Sequence, residues 1–460
     1  MAGLAQRFIC EAGAEGLTQH ARMTGMKTEA DFDPAWLEKY VMPNYGRFPV
    51  WPERGEGPYV WDRDGKKYLD FAGGVAVCPL GHAHPEVADA LGRQAHTLMH
   101  VSNWYCIRGQ AELAKVLVED VMGIAGKCFF SNSGAEANEG MIKLARKYGV
   151  TKPKADGSPR YEIITFTGSF HGRTFGAMSA TAQEKIHGGF GPIVPGFVYA
   201  PFNDIAALKT AITDTTVAIL VEPVQGESGV NPMTADFLRA VQSLCREHDL
   251  LMLLDEVQCG LGRTGELCGW RSIIPGDEIQ PDSVSWAKSI GSGYPLGAFW
   301  VRQREMGDGK SEIRNLCDLL GPGTHGTTYG GSPLACAVGL TTLKVILRDG
   351  LPQRAATLGR RIAREVAVWR HPLIREVRAF GLMIGFELED EKIAALAAVK
   401  ANGRLPSIHV AREMLEAGLM VVPAGPTVVR WLPPLNITDE HAAEGLALFK
   451  EVLDRLAVVG

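Results

Sequence analysis

Leu250-Leu251-Met252-Leu253-Leu254-Asp255-Glu256 is a run of apolar residues closed by two carboxylates, and it reads as a buried strand with an acid at its tip. Four more short runs have the same form: Cys128 to Phe130, Ile163 to Phe166, Val217 to Val221 and Val284 to Trp286. Each is followed at once by polar, acidic or Gly-rich residues. Helical patterns alternate with these runs from about Val60 to Leu340, which predicts an α/β domain built around a largely parallel sheet. In such sheets ligands collect at the carboxyl ends of the strands, so the trailing residues are expected to converge on one crevice.

Away from this core the pattern changes. Tyr59 to Trp61 and Tyr68 to Phe71 flank the turn Asp62 to Gly65 and predict a β-hairpin. Beyond 345 come an amphipathic helix over Leu351 to Trp369, an alternating stretch over Glu376 to Glu389, a helix near Val410 to Ala417 and a last helix from Asp439. The expected layout is a loose extension over 1–28, a segment 29–80 that joins a smaller α+β domain, a large ligand-binding domain over 81–345, and the rest of the small domain over 346–460. Gly, Pro and Lys mark loops at 151–160 and 307–311.

Composition excludes several classes. The chain of 460 residues is 46% hydrophobic and 22% charged, with a net charge of -5, which argues against disorder and gives no basic footprint for nucleic acid or an anionic membrane. No apolar run is long enough to span a bilayer, and residues 1–28 lack the continuous apolar stretch of a signal peptide. Nine cysteines form no C-x-x-C pair, so a reducing cytoplasm is expected. No metal site is expected either: His82 and His84 in Gly81-His82-Ala83-His84-Pro85 lack a third ligand.

Three stretches carry chemistry. Ser131-Asn132-Ser133-Gly134-Ala135-Glu136-Ala137-Asn138 follows a strand and opens a helix. Free N–H groups and the positive helix end there favour a phosphate, although the stretch taken alone reads first as an ordinary Ser N-cap. Asp255 would be costly to bury unpaired; a protonated pyridine nitrogen is one suitable partner, and helix capping or metal binding are the alternatives. Lys288, in Ser285-Trp286-Ala287-Lys288-Ser289-Ile290-Gly291, follows another apolar run, where low polarity and a nearby cation would depress its pKa and free the amine for imine formation. A lone lysine is otherwise a snorkelling surface residue.

Six ordered motifs now carry a resemblance: SNSGAEANEGMIKLAR, FHGRTFGAMSAT, VEPVQGESGV, LLDEVQCGLGRTG, PDSVSWAKSIGSGYPLGA and HGTTYGGSPLACAVGL. Together they resemble the class III aminotransferases from about Met42 to Pro434. The resemblance implies the fold-type I architecture, pyridoxal 5′-phosphate as cofactor, and a homodimer with active sites shared between subunits. By it, Lys288 matches the Schiff-base lysine, Asp255 the partner of the pyridine nitrogen and Gln258 the contact to the ring hydroxyl. Ser133, Gly134 and Ala135 match the phosphate cradle, Thr328 the threonine that reaches the phosphate from the neighbouring subunit, Phe170 the stacked ring and Glu222 an acid beside the site. From the residues alone, Phe170 reads as core and His171 as a satisfied loop histidine.

Two arginines bear on the substrates, since each can fork onto a carboxylate. Arg430 resembles the family's site for the α-carboxylate of glutamate or 2-oxoglutarate. Arg173 resembles the residue that holds the distal carboxylate of glutamate and, in the other half-reaction, the α-carboxylate of an ornithine derivative. Glu227 resembles the carboxylate that neutralises Arg430 when the substrate has no group for it. Gly73-Gly74-Val75-Ala76-Val77 resembles the acetylornithine enzymes of the family, because a tyrosine in place of Val75 could bind a free α-amino group and valine cannot. The expectation is amino transfer from N-acetylornithine to 2-oxoglutarate in arginine biosynthesis. The alternatives are ornithine, succinylornithine or 4-aminobutyrate as donor, a racemase, aminomutase or decarboxylase on the same scaffold, and a non-catalytic regulator.

Overall fold

A computed structural model describes residues 32–307 and 313–459. The expected extension over 1–28 and most of the loop at 307–311 lie outside the described residues. The chain divides into two units, 1–50 and 51–460. The first contains a short helix, Trp36–Tyr40; the second holds everything described below.

The strands, in chain order, are β1 (Pro52–Glu56), β2 (Tyr59–Asp62), β3 (Lys67–Asp70), β4 (Gly126–Ser131), β5 (Glu162–Phe166), β6 (Phe197–Ala200), β7 (Thr216–Val221), β8 (Val224–Gln225), β9 (Asn231–Pro232), β10 (Leu251–Asp255), β11 (Ser283–Trp286), β12 (Gly297–Arg302), β13 (Ile374–Phe380), β14 (Met383–Leu388), β15 (Leu419–Met420), β16 (Val422–Ala424) and β17 (Val428–Trp431). Seven form the central sheet, ordered β4-β12-β11-β10-β7-β5-β6. β6, β5, β7, β10 and β11 are mutually parallel, and β12 runs antiparallel to both β11 and β4. The five apolar runs all fall in this sheet.

The reason is visible in β10. Met252 and Leu254 pack into one core cluster with Ile219, Ile164 and Trp286, whereas Leu251 and Leu253 pack into another with Leu220, Ile163 and Phe299. Side chains alternate across a strand, so both faces are apolar because both are covered by helices. The Asp255 side chain is then the first polar group at the carboxyl end.

Two smaller sheets, β1-β2-β3-β15 and β13-β14-β17-β16, and the hairpin β8-β9 complete the pairing. The first joins the expected hairpin β2-β3 to a strand some 350 residues later, through Leu69↔Leu419. The alternating stretch over 376–389 is two strands, β13 and β14, turning at Gly381, whose φ is +53°. The helices Leu351–Trp369 and Asp439–Val459 stand where periodicity places them, and the one near Val410 runs Pro406–Glu416. No described helix is long and apolar enough to cross a membrane.

Candidate active site

The carboxyl ends of β4, β7, β10 and β11 surround a cavity of about 480 Å³, which Ser133, Gly134, Ala135, Phe170, Arg173, Glu222, Glu227, Asp255, Gln258 and Lys288 all line. Each residue arrives for a local reason. Ser133 lies just past the end of β4 and caps the helix Gly134–Thr151, its Oγ accepting from Glu136 N at 3.2 Å. Glu136 reaches back to accept from Asn132 N at 2.6 Å, a reciprocal cap that leaves the first N–H groups of the helix without intrahelical partners. Gly172, at φ +139°, lets the 170–173 loop lie against them, since a Cβ there would stand 2.6 Å from that of Ala135.

Asp255 is 3% exposed and held by three donors. Asn138 Nδ2 lies 2.7 Å and His171 Nδ1 2.8 Å from Oδ2, and Val257 N donates to Oδ1 at 3.0 Å. Asn138 is fixed in turn, donating to His171 O and accepting from Ser285 Oγ at 2.7 Å. Its amide orientation is therefore determined. Asn138, His171 and Ser285 are site residues that the sequence reading missed; a buried polar residue facing inward from an amphipathic helix was the available signal for Asn138.

Lys288 follows β11 with φ +48°, a left-handed conformation on a non-glycine residue. Burial, and after it the Arg430 guanidinium, bring its pKa down to about 8 against the opposing pull of Glu227, Asp255 and Glu222. Burial, and after it the charge of Asp255, push Glu222 well above the ordinary carboxylate range. Its Oε2 accepts from Phe170 N at 3.0 Å.

Arg430, on β17, is wholly buried and does not reach the cavity wall. Its Nη1 donates to Gln258 Oε1 at 2.7 Å and its Nη2 to Glu227 Oε2 at 3.2 Å. Arg173, by contrast, is exposed at the wall, 5.6 Å over the Phe170 ring, and pairs with no carboxylate among the described residues. Val75 does not line the cavity; Val77 does. Gly73, Gly74, Val75 and Ala76 all have positive φ, forming a left-handed turn that packs Val75 beside Val224 and Met383 and is tied down by Ser289 Oγ to Ala76 O. Thr328 lines a different cavity, of about 950 Å³, with Trp104, Phe130 and Gly330. His82 Nε2 donates to Asp70 Oδ2 at 2.8 Å, and among the described residues no group of three His, Cys, Asp or Glu could hold a metal ion.

These residues fit pyridoxal phosphate. A helix N-terminus with free N–H groups, an inward carboxylate and an amine of lowered pKa share one cavity of suitable size for such a group. An acetylornithine aminotransferase of Caldanaerobacter subterraneus is 42% identical over 421 residues, covering 91% of this chain and 98% of that one. Among solved structures, the ornithine aminotransferase of Toxoplasma gondii ME49 superposes with a TM-score of 0.82 at 33% identity, over 95% of this chain and 98% of its own. The acetylornithine aminotransferase of Elizabethkingia anophelis gives 0.76 at 30%, over 93% and 100%. The sequence profile described as aminotransferase class-III matches residues 40–453, and with it the chain belongs to the class III aminotransferases, which work with pyridoxal phosphate.

Proposed function

We propose that this enzyme moves the terminal amino group of N-acetylornithine to 2-oxoglutarate, reversibly giving N-acetylglutamate semialdehyde and glutamate, as a step of arginine biosynthesis in the cytoplasm. The observation that carries the reading is the contrast between the two arginines: Arg173 offers a free guanidinium to the cavity, and Arg430 is masked by Glu227. A donor that presents its terminal amine has one carboxylate to place, and Arg173 takes it. 2-Oxoglutarate has two, and the second requires Glu227 to yield Arg430. Apolar Val77 at the cavity wall offers no partner to a free α-amino group, which favours the acylated donor. The relatives named acetylornithine aminotransferase support this choice.

The bound cofactor supplies an aldehyde for the amino group and a ring that withdraws electrons from the reacting carbon. The first N–H groups of the helix at Gly134 and Ala135 would hold its phosphate, Phe170 its ring face and Gln258 its ring hydroxyl. Asp255, oriented by Asn138 and His171, would face the ring nitrogen. Lys288 Nζ, neutral in part near pH 8, takes the proton from the donor's amino-bearing carbon and returns one in the opposite half-reaction. Glu222, whose carboxyl burial and the neighbouring Asp255 hold well above the ordinary range, sits beside this exchange.

A second copy of the chain would complete the site. Thr328 lines the larger cavity, where Trp104 and Tyr105 are exposed; such a patch suits an association surface. The eight cysteines of the described residues are unpaired, in keeping with a reducing compartment. The test is a donor panel of N-acetylornithine, N-succinylornithine, ornithine, lysine and 4-aminobutyrate with 2-oxoglutarate, run beside Lys288→Ala. N-Acetylornithine should lead and the variant should be inactive. Efficient use of free ornithine but not its acetyl form would overturn the donor assignment, and normal turnover by Lys288→Ala would overturn the catalytic one.

A further inference from the structure

Glu227 belongs to a loop, Gly226–Val230, that joins β8 to β9. Gly229 and Val230 have φ of +126° and +59°, so the loop is held in a conformation that a β-branched residue adopts only under external constraint. The constraint comes from the sheet that carries Arg430. Across β13, β14 and β17, Arg378 is opposite Gly385 and Gly385 is opposite Arg430. Directly opposed residues of antiparallel strands share a face. The row is therefore two arginines with a gap between them where a side chain is missing.

The Gly229 carbonyl occupies that gap. A Cβ on Gly385 would stand 3.1 Å from Gly229 O. Arg378 donates to the same oxygen from Nη2 at 2.8 Å and from Nε at 3.2 Å. Arg378 is itself anchored, its Nη2 lying 2.6 Å from Glu387 Oε2, while Thr427 and Arg375 hold the other oxygen of Glu387. Burial alone would raise the pKa of Glu387, but the Thr427 hydroxyl and Arg378 outweigh it and hold the carboxyl below its ordinary range. One end of the loop thus pairs Glu227 with Arg430, and the other is pinned through Gly229 to Arg378.

We infer that Arg378 is a positioning residue for the exchange of substrates: by clamping the Gly229 carbonyl over Gly385, it holds Glu227 on Arg430 and sets how readily Arg430 is released to the second carboxylate of 2-oxoglutarate. This rests on the reading of Arg430 and Glu227 given above. Loosening the clamp shifts the loop toward the open state, which binds dicarboxylates better and the single-carboxylate donor no better.

The test uses the holoenzyme and glutarate, an unreactive dicarboxylate, with Kd from calorimetry and KM for donor and 2-oxoglutarate measured separately. Arg378→Met should tighten glutarate about three- to tenfold and raise the ratio of donor KM to 2-oxoglutarate KM by a similar factor, with kcat little changed. Arg378→Lys, which keeps a donor for Gly229 O, should recover part of the wild-type values. Gly385→Ala leaves every charge in place and crowds the Gly229 carbonyl and the Val230 side chain of the same loop, each 3.1 Å from the added Cβ, so it carries the test if Arg378→Met does not fold; it should shift Kd and the KM ratio in the same direction. Glu227→Gln should tighten glutarate most. If Glu227→Gln does so while the Arg378 and Gly385 variants match wild type, the clamp is refuted and the switch stands. If Glu227→Gln also leaves glutarate binding unchanged, the pairing has no role in binding and both readings fail.

Discussion

Lys288 shows how much of a residue's chemistry is set by what surrounds it. Its depressed pKa makes the neutral amine scarce well below pH 8 and abundant above it, whereas an ordinary lysine titrates at 10.5. Trace labelling of the cofactor-free chain with acetic anhydride should therefore show Lys288 half-reactive near pH 8. Arg430→Gln removes a neighbouring cation and leaves Glu227 unpaired, and both effects favour the ammonium, so the midpoint should rise by roughly a unit. A wild-type midpoint close to 10.5 would contradict the electrostatic account. Asn138 makes the complementary point. Asn138→Leu leaves His171 O and Asp255 Oδ2 short of a donor and Ser285 Oγ short of an acceptor. A loss of about 3 kcal/mol in urea unfolding is expected, together with reduced turnover. Lys288 and Asp255 were legible in the sequence because each ends an apolar strand. The pairing of Asn138, His171 and Ser285 was not, because their partners lie tens of residues away; only Asn138 had a local signal, as a polar residue on the inward face of its helix.

Among the elements, those read correctly obey a single rule over their whole length. The central strands each carry a short apolar run, and the helix Leu351–Trp369 keeps one period to its end. The failures occur where backbones meet. The alternating stretch over 376–389 folds back at Gly381, which fits against Arg263 O, 2.5 Å from where a Cβ would be. β12 is not among the strands read from the sequence; it opens at Gly297, which follows Pro295 and is required by Ser133 O, close to where a Cβ would be. Val75 was expected at the cavity and Val77 is found there, because four successive left-handed residues rotate the chain in a way no periodicity predicts. Such contacts yield a sharp prediction. In an exposed helix Gly→Ala gains about 1 kcal/mol, but Gly359 lies so close to Gly381 O that a Cβ would sit 1.8 Å away. Gly359→Ala should instead lose about 2 kcal/mol in urea unfolding; a gain would mean that helix and hairpin separate freely.

At the scale of the whole molecule, buried acids and the association surface decide behaviour. Glu256 is 1% exposed, accepts from Trp270 N, and is pushed by burial up to about 7. A carboxyl whose folded pKa lies above its unfolded value of 4.5 is neutral in both states at low pH. As pH rises from 4.5 to 7 the unfolded chain ionises first, and stability falls until the folded pKa is passed. Glu256→Gln removes that loss, so the variant should gain relative to wild type between pH 4.5 and 7.5, by an amount approaching about 3 kcal/mol; a difference independent of pH would exclude Glu256 as the source. The proposed association surface supports a prediction that joins stability to function. Trp104 is 94% exposed, so Trp104→Asp should cost the isolated fold almost nothing. The same change places a charge at the rim of the cavity that contains Thr328, where a second copy is proposed to dock and where burying an unpaired carboxylate is costly. Sedimentation should then show monomers, and cofactor affinity should fall with the dimer, because the phosphate loses the partner's threonine while Ser133, Gly134 and Ala135 remain. Monomers with undiminished cofactor affinity would confine the phosphate site to one chain. Dimers unaffected by the charge would move the interface elsewhere.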